Sequence, residues 1–204
     1  MKKSKLSREN YLIKATEIMR KSLFEPKGYK VPKVELSISW STRGNNHKNT
    51  GNAKVLGLCF PKEMHAGGIN QITITPNLDG STIAGSIKIL GVLVHELVHA
   101  VDNCVSGHGK AFRQCATAVG LTGKMTATTE SEELKKYLTE SIINKLGIFP
   151  HEKVTLSGKT QTTRNIKVEC NCCEFSFRTS RKNLELMDEV SHCLACDDGF
   201  LQVA

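Results

Sequence analysis

Five consecutive residues, His95-Glu96-Leu97-Val98-His99, bring two imidazoles and a carboxylate to where they can act on one metal ion. Side chains four apart on an α-helix lie on one face, one turn above each other. His95 and His99 can therefore share an ion, and Glu96 can reach a water on it. This is the zinc-peptidase pattern, in which the metal activates a water and the carboxylate takes its proton. The five-residue pattern also recurs in ordinary helices. Here it lies deep in an apolar stretch, where two His and a Glu without partners are costly to bury.

A catalytic zinc takes three protein ligands and keeps one position for water. His108 is the leading candidate for the third. It follows a segment rich in helix breakers, and Gly107 and Gly109 on either side permit a tight turn back towards the helix. Glu130, Glu132 and Glu133 compete as carboxylate ligands, although they read as the solvated first turn of a later helix. The metzincin arrangement is excluded, because its third His would fall at Val105.

A second constellation lies near the C-terminus. Cys170 with Cys173 and Cys193 with Cys196 form two CxxC knuckles at a separation usual for structural zinc. Four thiolates closing a tetrahedron leave no position for water, so this site is structural. Cys172 is spare. Between the knuckles, Phe175, Phe177, Arg178, Arg181 and Lys182 interleave rings and cations. The two Phe read as the ribbon's small core. Arg178, Arg181 and Lys182 are candidate nucleic-acid contacts, with a solvated face as the plainer alternative. Cys59 and Cys115 read as buried thiols. Cys104 falls between His99 and His108, near the metal. His47, His65, His151 and His192 read as surface residues, with His192 a distant alternative ligand.

The elements that must position these residues follow from periodicity. Residues 7–24 carry Leu12, Ile13, Ala15, Ile18, Met19 and Leu23 at helical spacing, ended by Pro26 and Gly28. Residues 34–40 alternate as a half-buried strand. A polar loop over 43–52, an apolar run over 53–60 and an alternating strand over 69–75 follow, the last expected to form the rim of the cleft and to pair with an extended peptide. A buried helix begins near residue 81 and carries the His pair. A short helix spans 110–119, and a long one is expected over 128–146 with acidic residues in its first turn. The domains expected are a metal-binding unit over 1–146, a linker over 147–166 and a cysteine-rich unit over 167–204.

The chain has 204 residues and a net charge of +8. Residues 1–33 carry ten Lys/Arg against three Glu, so nearly all the surplus is N-terminal. Such a surface attracts phosphate backbones or another acidic partner, or is simply a solvated helix face. No apolar run approaches the roughly 20 residues of a membrane span. The basic N-terminus leads into an amphipathic stretch rather than a signal core. The expectation is an intracellular protein, cytoplasmic, nuclear or in a host's cytoplasm if viral, whose cysteines are metal ligands or buried thiols. A monomer is the default.

The combination of HELVHAVD, then GHGKAFR, then a four-cysteine ribbon resembles the SprT-like (Spartan-type) zinc metalloproteases. Further matches are Trp40 at a strand end, Gly51-Asn52-Ala53, Ile72-Thr73-Ile74 with Pro76-Asn77, and Phe112-Arg113 after the third His. Glu174 and the extra Cys172 depart from the family's ribbon. The resemblance implies an α+β zincin-like protease domain followed by a zinc ribbon. It puts the catalytic zinc on His95, His99 and His108 and makes Glu96 the catalytic residue. It further implies DNA-stimulated cleavage of proteins crosslinked to DNA, single strands included, and hence a role in DNA–protein crosslink repair. The function expected is thus a zinc endopeptidase with Glu96 activating a zinc-bound water. The alternative is a non-catalytic nucleic-acid-binding zinc protein in which the HExxH site is structural.

Overall fold

A computed structural model describes residues 2–40, 55–154, 165–187 and 191–203. The loop expected over 43–52, with His47, and the Gly51-Asn52-Ala53 match lie outside the described residues. The chain divides into two compact units, Met1–Leu156 and Ser157–Ala204. Both are mixtures of helices and small sheets.

In the first unit, helix α1 (Arg8–Met19) starts at Ser7, whose hydroxyl accepts from the Asn10 N–H. Tyr11, Leu12, Ala15 and Met19 go into the core. The helix widens into a π-type turn over Arg20–Phe24 and stops at Gly28, which adopts φ 79°. Strands β1 (Val34–Ile38), β2 (Gly57–Phe60) and β3 (Asn70–Ile74) form one sheet in the order β1-β3-β2. β3 is the central strand, parallel to β1 and antiparallel to β2. Both its edges are taken, so it cannot pair with a substrate as expected. Among the described residues the outer edges of this sheet belong to β1 and β2.

Helix α2 (Ile83–Val101) begins at Thr82, whose hydroxyl accepts from the Gly85 N–H. It packs on β2, β3 and α1. Its nineteen residues are long and apolar enough, by length and composition alone, to cross a membrane, which corrects the expectation that no such run exists. Most of that apolar surface is spent on the core instead: Ile89, Leu90, Leu93, Val94, Leu97 and Val98 are all buried.

Helix α3 (Lys110–Ala118) follows. The next stretch departs from the helical expectation. Strands β4 (Leu121–Lys124) and β5 (Ala127–Glu130) form a hairpin, and the helix starts only at α4 (Glu132–Tyr137). Ser131 is its cap, accepting from the Leu134 N–H. Thr128 and Thr129 are β-branched and favour the strand, while Gly123 takes φ 84°. The helix continues through a π-type segment to α5 (Asn144–Leu146).

The expected linker begins too early. Phe149 is fully buried, its ring 5.2 Å from that of Tyr11. Ile148 bridges to Lys3. His151, expected at the surface, is buried and donates from Nε2 to the Pro76 carbonyl at 2.8 Å. Two apolar residues after Gly147 suffice to fold this segment back onto α1.

The second unit is a four-stranded antiparallel sheet in the order β7-β6-β9-β8, made of β6 (Ile166–Cys170), β7 (Ser176–Thr179), β8 (Ser191–His192) and β9 (Phe200–Val203). The short helix α6 (Arg181–Leu184) follows β7. Val168 is the buried centre.

Candidate metal centre

Helix α2 presents His95 and His99 from consecutive turns, and the loop after it returns His108 to them. The Nε2 atoms of His99 and His108 are 3.3 Å apart, as are those of His108 and His95. Ligands at the usual zinc–nitrogen distance of 2.0–2.1 Å on a tetrahedron are about 3.3–3.4 Å from each other. Two of the three separations match that spacing, and all three histidines offer ligand atoms within 4.8 Å of one another, a group that fits one metal ion. The ring of Phe112, from α3, lies beneath all three imidazoles, with centroids 4.4–4.9 Å away.

Asn103 and Cys104 both take left-handed φ values, 56° and 64°. Asn tolerates that region because its amide can bond locally. Here Asn103 Oδ1 accepts from the Lys62 N–H and from Asn70 Nδ2, each at 2.9 Å, and its own amide donates to the Glu63 carboxylate. The loop is thereby pinned to β3 and to the turn before it. Asp102 accepts from the Ser106 N–H and hydroxyl, which shapes the approach to Gly107 at φ 50°.

Electrostatics favour lone pairs over protons. Burial, followed by the neighbouring imidazoles, depresses His95 to about 3 and His99 to about 4. Burial lowers His108 too. All three rings are thus neutral near pH 7, the form that binds a metal. The Nδ1 of His95 is 2.9 Å from the Thr128 hydroxyl on β5, which fixes the ring's orientation.

Glu96 is 5% exposed, and burial pushes its carboxyl up to about 8. Its carboxylate lies against β2 at Gly57. A β-carbon at Gly57 would sit 2.6 Å from Oε1 of Glu96 and 2.7 Å from Val92, so only glycine leaves it this space. The three imidazoles and Glu96 open onto one cavity of about 600 Å³. Gly57, Leu58 and Cys59 of β2 line one side, and Ala127 and Thr128 of β5 another. None of the three tyrosines lines it.

Glu130 is not in a solvated first turn. It ends β5, its side chain only 9% exposed, packed over Gly91 with the Lys88 ammonium 3.8 Å away. The convergent metal-ligating group is His95, His99 and His108, without a carboxylate. Sequence reasoning missed the contribution of β5 altogether. The β-branched threonines at 126, 128 and 129 were the available signal.

In the second unit, Cys170, Cys173, Cys193 and Cys196 converge as a group that fits a metal. Cys170 and Cys196 sulfurs are 3.7 Å apart, and so are those of Cys173 and Cys193. A zinc–sulfur distance near 2.3 Å implies about 3.8 Å between thiolates. The N–H groups of Cys172 and Cys173 point at the Cys170 sulfur, and that of Ala195 at Cys193, as knuckles require. Cys172 is exposed and outside the set. Phe175 and Phe177 are half-buried with centroids 6.1 Å apart. Arg178, Arg181 and Lys182 are exposed. His192 stacks on Phe200 at 4.9 Å rather than joining the cysteines. His65 pairs with Glu35 at 2.9 Å. Cys59 and Cys115 are buried, and Cys104 borders the metal cavity.

No family model, no curated protein and no solved structure matches this chain.

Proposed function

We propose that this chain is a zinc endopeptidase of the SprT-like kind, with a zincin-like catalytic unit and a C-terminal zinc ribbon. The observation that carries this is one cavity holding three converging imidazoles, with His108 at 3.3 Å from both His95 and His99, and a buried carboxylate beside them. His95, His99 and His108 would hold a zinc ion, which would supply Lewis-acid polarisation of a peptide carbonyl and acidify a water. Glu96 takes the proton of the attacking water and passes it to the leaving amine. Burial raises the Glu96 carboxyl in the metal-free site, and a zinc ion on the histidines would favour its ionised, proton-accepting form. Of the two outer strands among the described residues, β2 borders the metal cavity, and its edge offers its backbone to an extended peptide by strand addition, in place of β3. A site holding zinc for structure alone has no use for Glu96, whose burial is unfavourable without a cation or a proton. That observation ranks the non-catalytic alternative second.

DNA-bound or DNA-crosslinked protein is the substrate class this reading favours. Its support is the N-terminal surplus of charge and the exposed Arg178, Arg181 and Lys182. The test incubates the zinc-loaded chain with a basic DNA-binding protein, with and without single-stranded and duplex DNA. Cleavage that rises with DNA is expected. Equal cleavage without DNA removes the DNA-linked substrate and leaves the peptidase, whereas no cleavage under any condition removes both.

A further inference from the structure

Two thiols in the wall of the metal cavity have no part in the chemistry above. Cys59 is in the third position of β2, and Cys104 is in the left-handed turn after α2. Both border the cavity that holds His95, Glu96, His99 and His108. The Cys104 thiol donates to the Cys59 carbonyl oxygen, 3.6 Å away, which sets the two residues side by side in that wall. They are reduced in this structure.

We propose that Cys59 and Cys104 are a reversible oxidation site, forming a disulfide across the cavity wall when a peroxide enters the cleft. The four ribbon cysteines are committed to a common centre, and Cys115 is buried on α3 away from the cavity. That leaves Cys59 and Cys104 as the two cysteines that line the metal cavity, among the described residues.

The chemistry closes with hydrogen peroxide as the oxidant. The Cys104 sulfur, as thiolate, attacks one peroxide oxygen, the O–O bond breaks, and hydroxide leaves and is protonated to water. The resulting sulfenic acid is attacked by the Cys59 sulfur. An S–S bond forms, the S–O bond breaks, and a second water leaves with the Cys59 proton. Two thiols lose two electrons in total, and one peroxide becomes two waters.

The consequence for the site follows from what each thiol is attached to. Cys59 belongs to β2, the strand that offers its edge to substrate, and lines the same cavity as Glu96. Cys104 belongs to the loop that delivers His108, its N–H bonded to the His99 carbonyl at 2.8 Å. A covalent link between them ties the substrate-binding strand to the ligand-bearing loop, which makes cleavage responsive to peroxide. This last step rests on the peptidase reading. The modification itself does not.

Peptide mapping by mass spectrometry of the zinc-loaded full chain, titrated with hydrogen peroxide and alkylated, reads the modification without any activity. A Cys59–Cys104 linked peptide should appear first and vanish on addition of dithiothreitol. Linkage through the exposed Cys172, or overoxidation of Cys104 with Cys59 still alkylatable, overturns the proposal. In parallel, cleavage is compared before and after peroxide within each of wild type, Cys104→Ser and Cys59→Ser. A reversible loss confined to wild type supports control of the site, while loss in all three overturns it. A wild type that links but never cleaves overturns the peptidase reading alone.

Discussion

Replacing Glu96 by glutamine should stabilise the metal-free protein, and the size of that gain should depend on pH in a definite way. Burial raises the Glu96 carboxyl from 4.5 to about 8 in the fold. Between those values the folded state holds a proton that the unfolded state has released, so stability falls as pH rises. At pH 4.5 and below, wild type and Glu96→Gln should differ little. At pH 7 the wild type should be weaker by about 3 kcal/mol, and above pH 8 the gap should level off at about 5 kcal/mol. The histidines beside Glu96 titrate in both proteins, so the difference isolates the carboxyl. An unpaired amide hydrogen on the substituted side chain would subtract about 1 kcal/mol at every pH without changing the slope. Trp40, the chain's single Trp, lies in the same unit and reports its unfolding by fluorescence. With a urea slope of about 2 kcal/mol per molar, the midpoints should separate by about 1.5 M at pH 7 in chelator. A separation that does not change between pH 4.5 and 8 would refute the burial argument for Glu96.

Other perturbations read other parts of the site. Thr128→Val removes the hydroxyl on His95 Nδ1 and should weaken zinc at the histidine site by about 10–100-fold, measured by competition with a chelating dye. Gly57→Ala puts a methyl 2.6 Å from the Glu96 carboxylate; metal analysis should still find zinc on the histidines while kcat falls. Replacing Arg178, Arg181 and Lys182 together by Ala should flatten the salt dependence of single-stranded DNA binding by about 2 in the logarithmic slope. An unchanged slope would leave those cations as a solvated face.

The parts of this architecture that were legible from residues are those where local chemistry is strong. The His95–His99 spacing, the breakers before His108 and the two CxxC knuckles each specify their own geometry, and the structure brings those side chains together. The periods of α1, α2 and β1 were also plain. What was not legible depended on tertiary context. β3 alternates just as an edge strand would, and nothing local tells that β1 and β2 occupy both its sides. Thr128 and Glu130 read as the start of a helix because Glu132 and Leu134 follow at helical spacing, yet Ser131 caps that helix and releases the preceding residues to the hairpin. The role of Thr128 on His95 could not be found without that hairpin. Phe149 and His151 looked like linker because two apolar residues are a weak signal, although Tyr11 on α1 offers the surface that captures them. Glu130 illustrates the same limit: a carboxylate in an acidic run reads as solvated until Gly91 on another element is seen to make room for it.

The most direct test of the central claim is cleavage of an unfolded protein substrate by zinc-loaded wild type and Glu96→Gln, with metal content measured on both samples. The account predicts two zinc ions on each protein and proteolysis by the wild type alone. Equal proteolysis by the variant, or a wild type that holds zinc on His95, His99 and His108 and cleaves nothing, would contradict it.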